Sequence, residues 1–85
     1  MDNQCVHDLV VEILSSVNSQ GLLEGENLFG AKNGFTPRDM AYVLLELEKR
    51  VEINIDHLVR FVDKTVAGYT IGTLVDAVLE QKRDK

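Results

Sequence analysis

The sequence has a single cysteine, Cys5, a single proline, Pro37, and no apolar run long enough to cross a lipid bilayer. One cysteine cannot form an internal disulfide, so nothing in the composition points to an oxidising compartment. The first residues also lack the basic segment followed by an apolar segment that marks a signal peptide. We therefore expect a cytoplasmic protein that does not enter a membrane.

Basic residues are scarce as well: nine lysines and arginines stand against fourteen aspartates and glutamates, which gives a net charge of −5. Binding to nucleic-acid phosphates requires a basic surface, so we expect no nucleic-acid partner. The excess of acidic over basic residues is uneven along the chain. Residues 1–35 carry five acidic residues and one basic residue, residues 36–56 five and three, and residues 57–85 four and five. Basic partner surfaces should therefore be drawn to the first two thirds of the chain.

Apolar residues recur at the helical period in four segments, which indicates amphipathic helices rather than strands. The four apolar stripes comprise Val6, Leu9, Val10, Ile13, Leu14 and Val17; Met40, Val43, Leu44, Leu47 and Val51; Leu58, Phe61 and Val62; and Ile71, Leu74, Val75 and Val78. Residues 1–85 have the length of one domain. We therefore predict a single all-α domain that folds as a small four-helix bundle.

The start of the second helix carries the clearest local signal. Thr36 can cap the helix, and Pro37 suits the first turn because the N–H that it lacks would have no partner there. Asp39 then completes a capping box with Thr36. From this start the apolar stripe predicts a helix that runs to about Val51.

Weaker start signals precede the other three helices. Asp2 or Asn3 can cap the first, Asp56 the third and Thr70 the fourth. Between the first two helices, residues 21–35 are rich in glycine and have no sustained period, which predicts a long loop. The large apolar side chains of this loop should lie on the core: Leu22, Leu23, Leu28, Phe29 and Phe35.

Two short motifs flank the predicted third helix. The second helix ends with Leu47-Glu48-Lys49-Arg50-Val51 and is followed by Ile55, and the last helix begins with Thr70-Ile71-Gly72-Thr73-Leu74. Their order and spacing resemble those of acyl carrier proteins, and the resemblance covers essentially the whole chain. It implies the acyl-carrier type of four-helix bundle, with a longer stretch here around the third helix, which we interpret as a lengthened helix.

Within that family the chain looks like the acyl-carrier-related proteins of bacterial peptide-maturation systems. This resemblance implies an accessory role in the processing of a ribosomally made peptide. The implied partners are a biosynthetic or maturation enzyme and a peptide substrate.

Acyl carrier proteins attach phosphopantetheine, the arm that carries the acyl thioester, to the serine of a Gly-x-Asp-Ser-Leu motif at the start of their second helix. In this resemblance Gly34 matches the glycine, Thr36 the aspartate, Pro37 the serine and Arg38 the leucine. Pro37 has no hydroxyl, and the serines of the chain all lie within residues 15–19. The resemblance therefore implies a carrier scaffold that lacks the prosthetic group.

Thr36 is an alternative attachment site if the alignment slips by one residue. An enzyme that recognises serine would find threonine a poorer substrate, and Phe35 would then precede it in place of aspartate. A capping role explains Thr36 without any modification. The alternative function is accordingly a working acyl or peptidyl carrier that is modified at Thr36 or at another site.

In carrier proteins the second helix is the face that partner enzymes bind. By resemblance Asp39 and Glu48 keep acidic residues of that face, Tyr42 and Lys49 replace common glutamates, and Leu45 stands for an apolar contact residue. Helical geometry places Tyr42, Leu45 and Lys49 opposite the apolar stripe. An exposed tyrosine beside a leucine is typical of an interface, but a third helix that covers both would make them ordinary core residues.

Candidates for catalysis and metal binding are few. Cys5 lies two residues from His7, on a different helical face, so His7 is not placed to act as its base. Neither His7 nor His57 has a further ligand residue one turn away. We therefore predict no catalytic residue, no metal site, no cofactor and no enzyme activity, and we expect a monomeric adaptor that binds its partner through Asp39, Tyr42, Leu45, Glu48 and Lys49.

Overall fold

The computed structural model describes residues 3–17, 26–29, 33–66 and 68–83. Within these ranges the chain forms four α-helices and no strand: α1 (Asn3–Val17), α2 (Pro37–Val51), α3 (Ile55–Asp63) and α4 (Ile71–Arg83). The prediction of a small all-helical bundle is confirmed. The expected lengthening of the third helix is not seen in the described residues, because α3 has 9 residues and residues 64–66 and 68–69 that follow it are not helical. No helix in the described part of the chain is long and apolar enough to span a bilayer.

One hydrophobic core joins the four helices. The predicted stripes of α2 and α4 are buried throughout, whereas Leu9 and Val17 on α1 and Phe61 on α3 are half-buried at the edge of the core. α1 and α4 form the central pair, α2 packs against α1, and α3 packs against α4. Contact between α2 and α3 is the smallest of these. Because α2 and α3 make little contact with each other, their outer sides form two separate surfaces.

Two of the predicted helix starts are confirmed. The Thr36 hydroxyl accepts the N–H of Asp39 at 3.1 Å, and the Asp39 carboxylate accepts the N–H of Thr36 at 3.2 Å, which is a complete capping box. The Thr70 hydroxyl accepts the N–H of Thr73 at 3.0 Å and contacts the Thr73 hydroxyl at 2.9 Å. Each arrangement satisfies a backbone N–H that the helix itself leaves without a partner.

The other predicted starts differ from the structure. Asn54, not Asp56, caps α3, because the Asn54 side chain accepts the N–H of His57 at 3.0 Å. Asp56 lies instead in the first turn, where its charge favours the positive end of the helix dipole. Asn3 is already the first residue of α1. Asp2 lies outside the described residues.

The described part of the α1–α2 connection lies against the chain between α3 and α4. Leu28 and Phe35 are buried in the core as predicted, whereas Phe29 is 39% exposed and its ring meets that of Tyr69 edge-on, with centroids 5.4 Å apart. The N–H of Leu28 donates to the Tyr69 carbonyl at 2.7 Å, and the N–H of Phe35 donates to the Leu28 carbonyl at 2.9 Å. The leucines at 22 and 23, and the greater part of the predicted loop around them, lie outside the described residues.

Candidate partner-binding face on helix α2

The outer face of α2 carries the residues that the sequence marks as partner-binding. Tyr42 is 63% exposed and Leu45 is 52% exposed. Glu48 and Lys49 are exposed beside them, and Asp39 is half-buried. The interpretation of Tyr42 and Leu45 as core residues is therefore excluded, because none of the helices that the structure describes covers them.

The packing of α2 explains this exposure. Its buried stripe already fills one side of the helix against the core, and α3 packs chiefly against α4 rather than across α2. Single exposed apolar residues are common on protein surfaces and need no explanation. Tyr42 and Leu45, however, lie one turn apart on one face and form a small apolar patch that a partner could cover.

A groove of about 450 Å³ runs beside Tyr42, between α2 and the last turn of α1. Its lining residues are Ser16, Val17, Arg38, Asp39, Tyr42, Glu46 and Arg50. Sequence reasoning did not include Arg38, Glu46 or Arg50 in the candidate site. Their four-residue spacing from Tyr42 along the helix is the signal that would have found them.

The charged groups of this groove are largely engaged with one another. Arg50 places its Nε 3.4 Å from Glu46 Oε2 and its Nη1 3.7 Å from Glu12 Oε1 on α1, and the Asp39 carboxylate belongs to the capping box. The Arg50 side chain is 43% exposed, so these pairs contribute little to stability. They nevertheless offset the charges around Tyr42, which leaves the apolar side chains as the distinctive feature of the face.

Pro37 is the residue that the predicted resemblance aligns with the carrier serine. Pro37 occupies the first turn of α2, and Thr36, which precedes it, is exposed and its hydroxyl accepts the N–H of Asp39. Phe35, which precedes it, is buried at 3% exposure. Gly34 adopts φ 72°, a backbone conformation that glycine tolerates and other residues rarely adopt.

The other candidate groups are dispersed. Cys5 is exposed in the first turn of α1, His7 Nδ1 lies 3.7 Å from a carboxylate oxygen of Asp8, and His57 is exposed near the start of α3. In the part of the chain that the structure describes, no three histidine, cysteine, aspartate or glutamate residues come together as a metal site. The absence of catalysis and of a cofactor stays a prediction.

No family model matches the chain, and no curated protein or solved structure matches it either. The resemblance to acyl carrier proteins therefore stays a prediction that depends on the order and spacing of the motifs in the sequence.

Proposed function

We propose that this chain is an acyl-carrier-like adaptor that lacks the phosphopantetheine serine and binds a biosynthetic enzyme through the outer face of α2. The pathway that we propose is the maturation of a ribosomally made peptide. The observation that carries the proposal is the exposure of Tyr42 and Leu45 on a helix whose opposite side is fully buried. Such a helix contributes fully to the core and still offers an apolar patch to a partner.

The start of α2 supports the part of the proposal that concerns the prosthetic group. Pro37 cannot be esterified, and the Thr36 hydroxyl is used as a helix cap. The residue before Thr36 is the buried Phe35, so a transferase that requires an acidic residue there would find none. The scaffold is thereby suited to binding without carrying an acyl group.

A working carrier modified at Thr36 is the second candidate function. The observation in its favour is that Thr36 is exposed at the N-terminus of a helix, where the backbone N–H groups favour a phosphate. The two functions differ in one measurable property, which is the covalent mass of the protein after exposure to coenzyme A.

The test is to incubate the protein with coenzyme A and a broad-specificity phosphopantetheinyl transferase and then to measure its intact mass. We expect the mass of the natural chain to stay unchanged. A gain of one phosphopantetheine that is lost in Thr36→Asn, which keeps a capping side chain but has no hydroxyl, would support the second candidate function. A gain that persists in Thr36→Asn would place the modification elsewhere.

A triple variant provides the matched positive control. Thr36→Asp, Pro37→Ser and Arg38→Leu together restore the carrier motif after Gly34 while keeping an acidic cap at the start of α2. We expect this variant to gain one phosphopantetheine under conditions in which the natural chain gains none. That pair of results would attribute the missing modification to Pro37 and its neighbours rather than to the assay.

A further inference from the structure

A second groove lies between α3 and α4, and none of its described lining residues lines the groove beside Tyr42. Its volume is about 540 Å³, which is within the range of sites that hold small ligands or short peptide segments. From α3 it is lined by His57, Arg60, Phe61 and Lys64. These residues recur at three- and four-residue spacing, so they occupy one face of the helix.

The cations of this groove have no carboxylate partner in the described part of the chain. No carboxylate oxygen there lies within 4.0 Å of the Arg60 guanidinium or the Lys64 ammonium group. Asp56 and Asp63 flank Arg60 on the same helix and still do not pair with it. Among the groove residues described, Glu80 carries the negative charge, so this groove is positive in a chain whose net charge is −5.

Two of the described lining residues of the groove are apolar. Phe61 is half-buried on the α3 side, and Ala77 is 1% exposed on the α4 side. The lining of the groove thus combines a half-buried aromatic ring with two exposed cations.

The two walls of the groove are held together by paired hydrogen bonds. Gln81 on α4 accepts the backbone N–H of Asn54 at 2.8 Å and donates to the backbone carbonyl of Asn54 at 2.9 Å. Asn54 is also the cap of α3, so these bonds join the start of α3 to the C-terminal half of α4. A groove that is already formed loses less conformational freedom when a ligand binds.

We propose that the α3–α4 groove binds a short acidic peptide segment that carries an apolar side chain. The apolar side chain lies over Phe61 and Ala77, and carboxylates of the peptide bind Arg60 and Lys64. Neighbouring cations one helical turn apart are separated by about 5–6 Å at Cβ, which is close to the roughly 6–7 Å between alternate residues of an extended peptide. Charge complementarity favours this occupant over a basic or neutral segment.

This site would give the adaptor a second binding surface, on a different helix pair from the enzyme-binding face. Only that role depends on the proposed function. Binding of the peptide to the groove is independent of Tyr42 and of phosphopantetheine, so the two proposals can fail separately.

The test uses fluorescence anisotropy with a fluorescein-labelled synthetic peptide in which glutamates flank a pair of leucines. We expect saturable binding that weakens as salt is added, because the cations are exposed. The same peptide with glutamine in place of glutamate should bind with an affinity at least about tenfold lower. Equal affinity for the two peptides, or no saturable binding of the acidic one, would overturn the proposal.

The variant Arg60→Gln with Lys64→Gln should weaken binding of the acidic peptide about tenfold. Both side chains are exposed, so the fold should persist, which circular dichroism can verify. Arg38→Gln with Lys49→Gln removes the same charge from α2 and should change the affinity less than about twofold. An equal loss in both double variants would show a general charge effect and would refute the groove as the site.

Two further measurements locate the ligand. Tyr42→Ala should leave the peptide affinity unchanged, and a loss there would assign the peptide to α2 and overturn the proposal. Amide chemical shifts should change on α3 and α4 in the presence of the peptide. If the protein instead binds phosphatidylglycerol vesicles through Arg60 and Lys64 and does not bind the peptide, the groove is a lipid-binding site and the proposal is wrong.

Discussion

The outer face of α2 and the α3–α4 groove place apolar and charged side chains in opposite ways. On α2, Tyr42 and Leu45 stand out from the surface, while Arg50 is engaged by Glu46. In the groove, Phe61 is half-buried, and the exposed cations Arg60 and Lys64 have no carboxylate partner among the described residues. The first arrangement favours an apolar contact with a partner, and the second favours an acidic ligand.

The helices themselves account for this difference. α2 has 15 residues and a complete apolar stripe, so its outer side is free to carry side chains that the core does not need. α3 has 9 residues, and it buries Leu58 and Val62 while Phe61 stays at the margin against α4. The short α3 packs chiefly against α4 and borders a groove there, whereas the long α2, whose buried stripe is complete, exposes Tyr42 and Leu45 on its outer side.

The largest expected effect concerns the two sides of α2. Leu47→Ala should lower the free energy of unfolding by about 2–5 kcal/mol because Leu47 is fully buried. Leu45→Ala removes the same atoms from the exposed side and should cost less than about 0.5 kcal/mol. Urea denaturation measures both changes in the free energy of unfolding, and the m-values of the variants should equal that of the natural chain. Equal losses would mean that the two sides of α2 do not differ as the structure describes.

The next effect concerns binding at the α2 face. Tyr42→Ala should weaken the free energy of binding to the partner enzyme by about 2 kcal/mol, because aromatic anchors often dominate an interface. The variant should therefore capture less of that enzyme from an extract of the source cells. The thermal midpoint should stay nearly unchanged, since Tyr42 is 63% exposed. Arg60→Gln with Lys64→Gln is the matched control from the other surface and should leave enzyme capture intact. A large drop in the thermal midpoint of Tyr42→Ala would contradict the exposure of this ring.

A smaller effect concerns the cap that joins α3 to α4. Asn54→Ala should lower the free energy of unfolding by about 0.5–2 kcal/mol, because the N–H of His57 loses its acceptor. Asp56→Ala removes only a favourable charge near the helix start and should cost about 0.3–1 kcal/mol at low salt. The two variants can be compared by urea denaturation at low and high salt. If Asp56→Ala lowered the free energy of unfolding more than Asn54→Ala, and by an amount that does not depend on salt, Asp56 rather than Asn54 would be the cap of α3.

The smallest effect concerns Tyr69, which lies in the connection between α3 and α4. Burial raises the pKa of Tyr69 above its ordinary value of 10.0, and the Asp63 carboxylate raises it further. A raised pKa in the folded state contributes stability that is present below about pH 10 and is lost as the pH rises through the folded pKa. Tyr69→Phe should therefore lose less stability than the natural chain between neutral and alkaline pH. Urea denaturation of both proteins at a series of pH values measures the difference, and equal losses of stability would contradict the raised pKa of Tyr69.

The second helix was predictable in full because its signals are local. The capping box of Thr36 and Asp39, the proline at the first turn and the buried stripe all lie within α2 and its cap. The start of α3 was predicted two residues late because Asn54 and Asp56 are both good capping residues. Which of them accepts an N–H depends on the backbone angles at the helix start, and these are not visible in composition or period.

The candidate site was predictable only in part. The sequence placed Tyr42 and Leu45 opposite the core stripe, but their exposure required that α3 pack against α4 and leave α2 uncovered. Phe29 is a residue whose burial the sequence predicted incorrectly. It was predicted to lie on the core, and it is partly exposed because its ring packs edge-on against Tyr69, forty residues further along the chain.

The sequence by itself determined the four helices, the cap of α2, and the lack of a hydroxyl at Pro37. These properties depend on hydrogen bonds and side-chain periods that span only a few residues. Only the tertiary structure decided that Tyr42 and Leu45 are exposed, and that Arg60 and Lys64 border a groove closed by Gln81. Burial and grooves depend on which helices pack together, and distant parts of the chain decide that jointly.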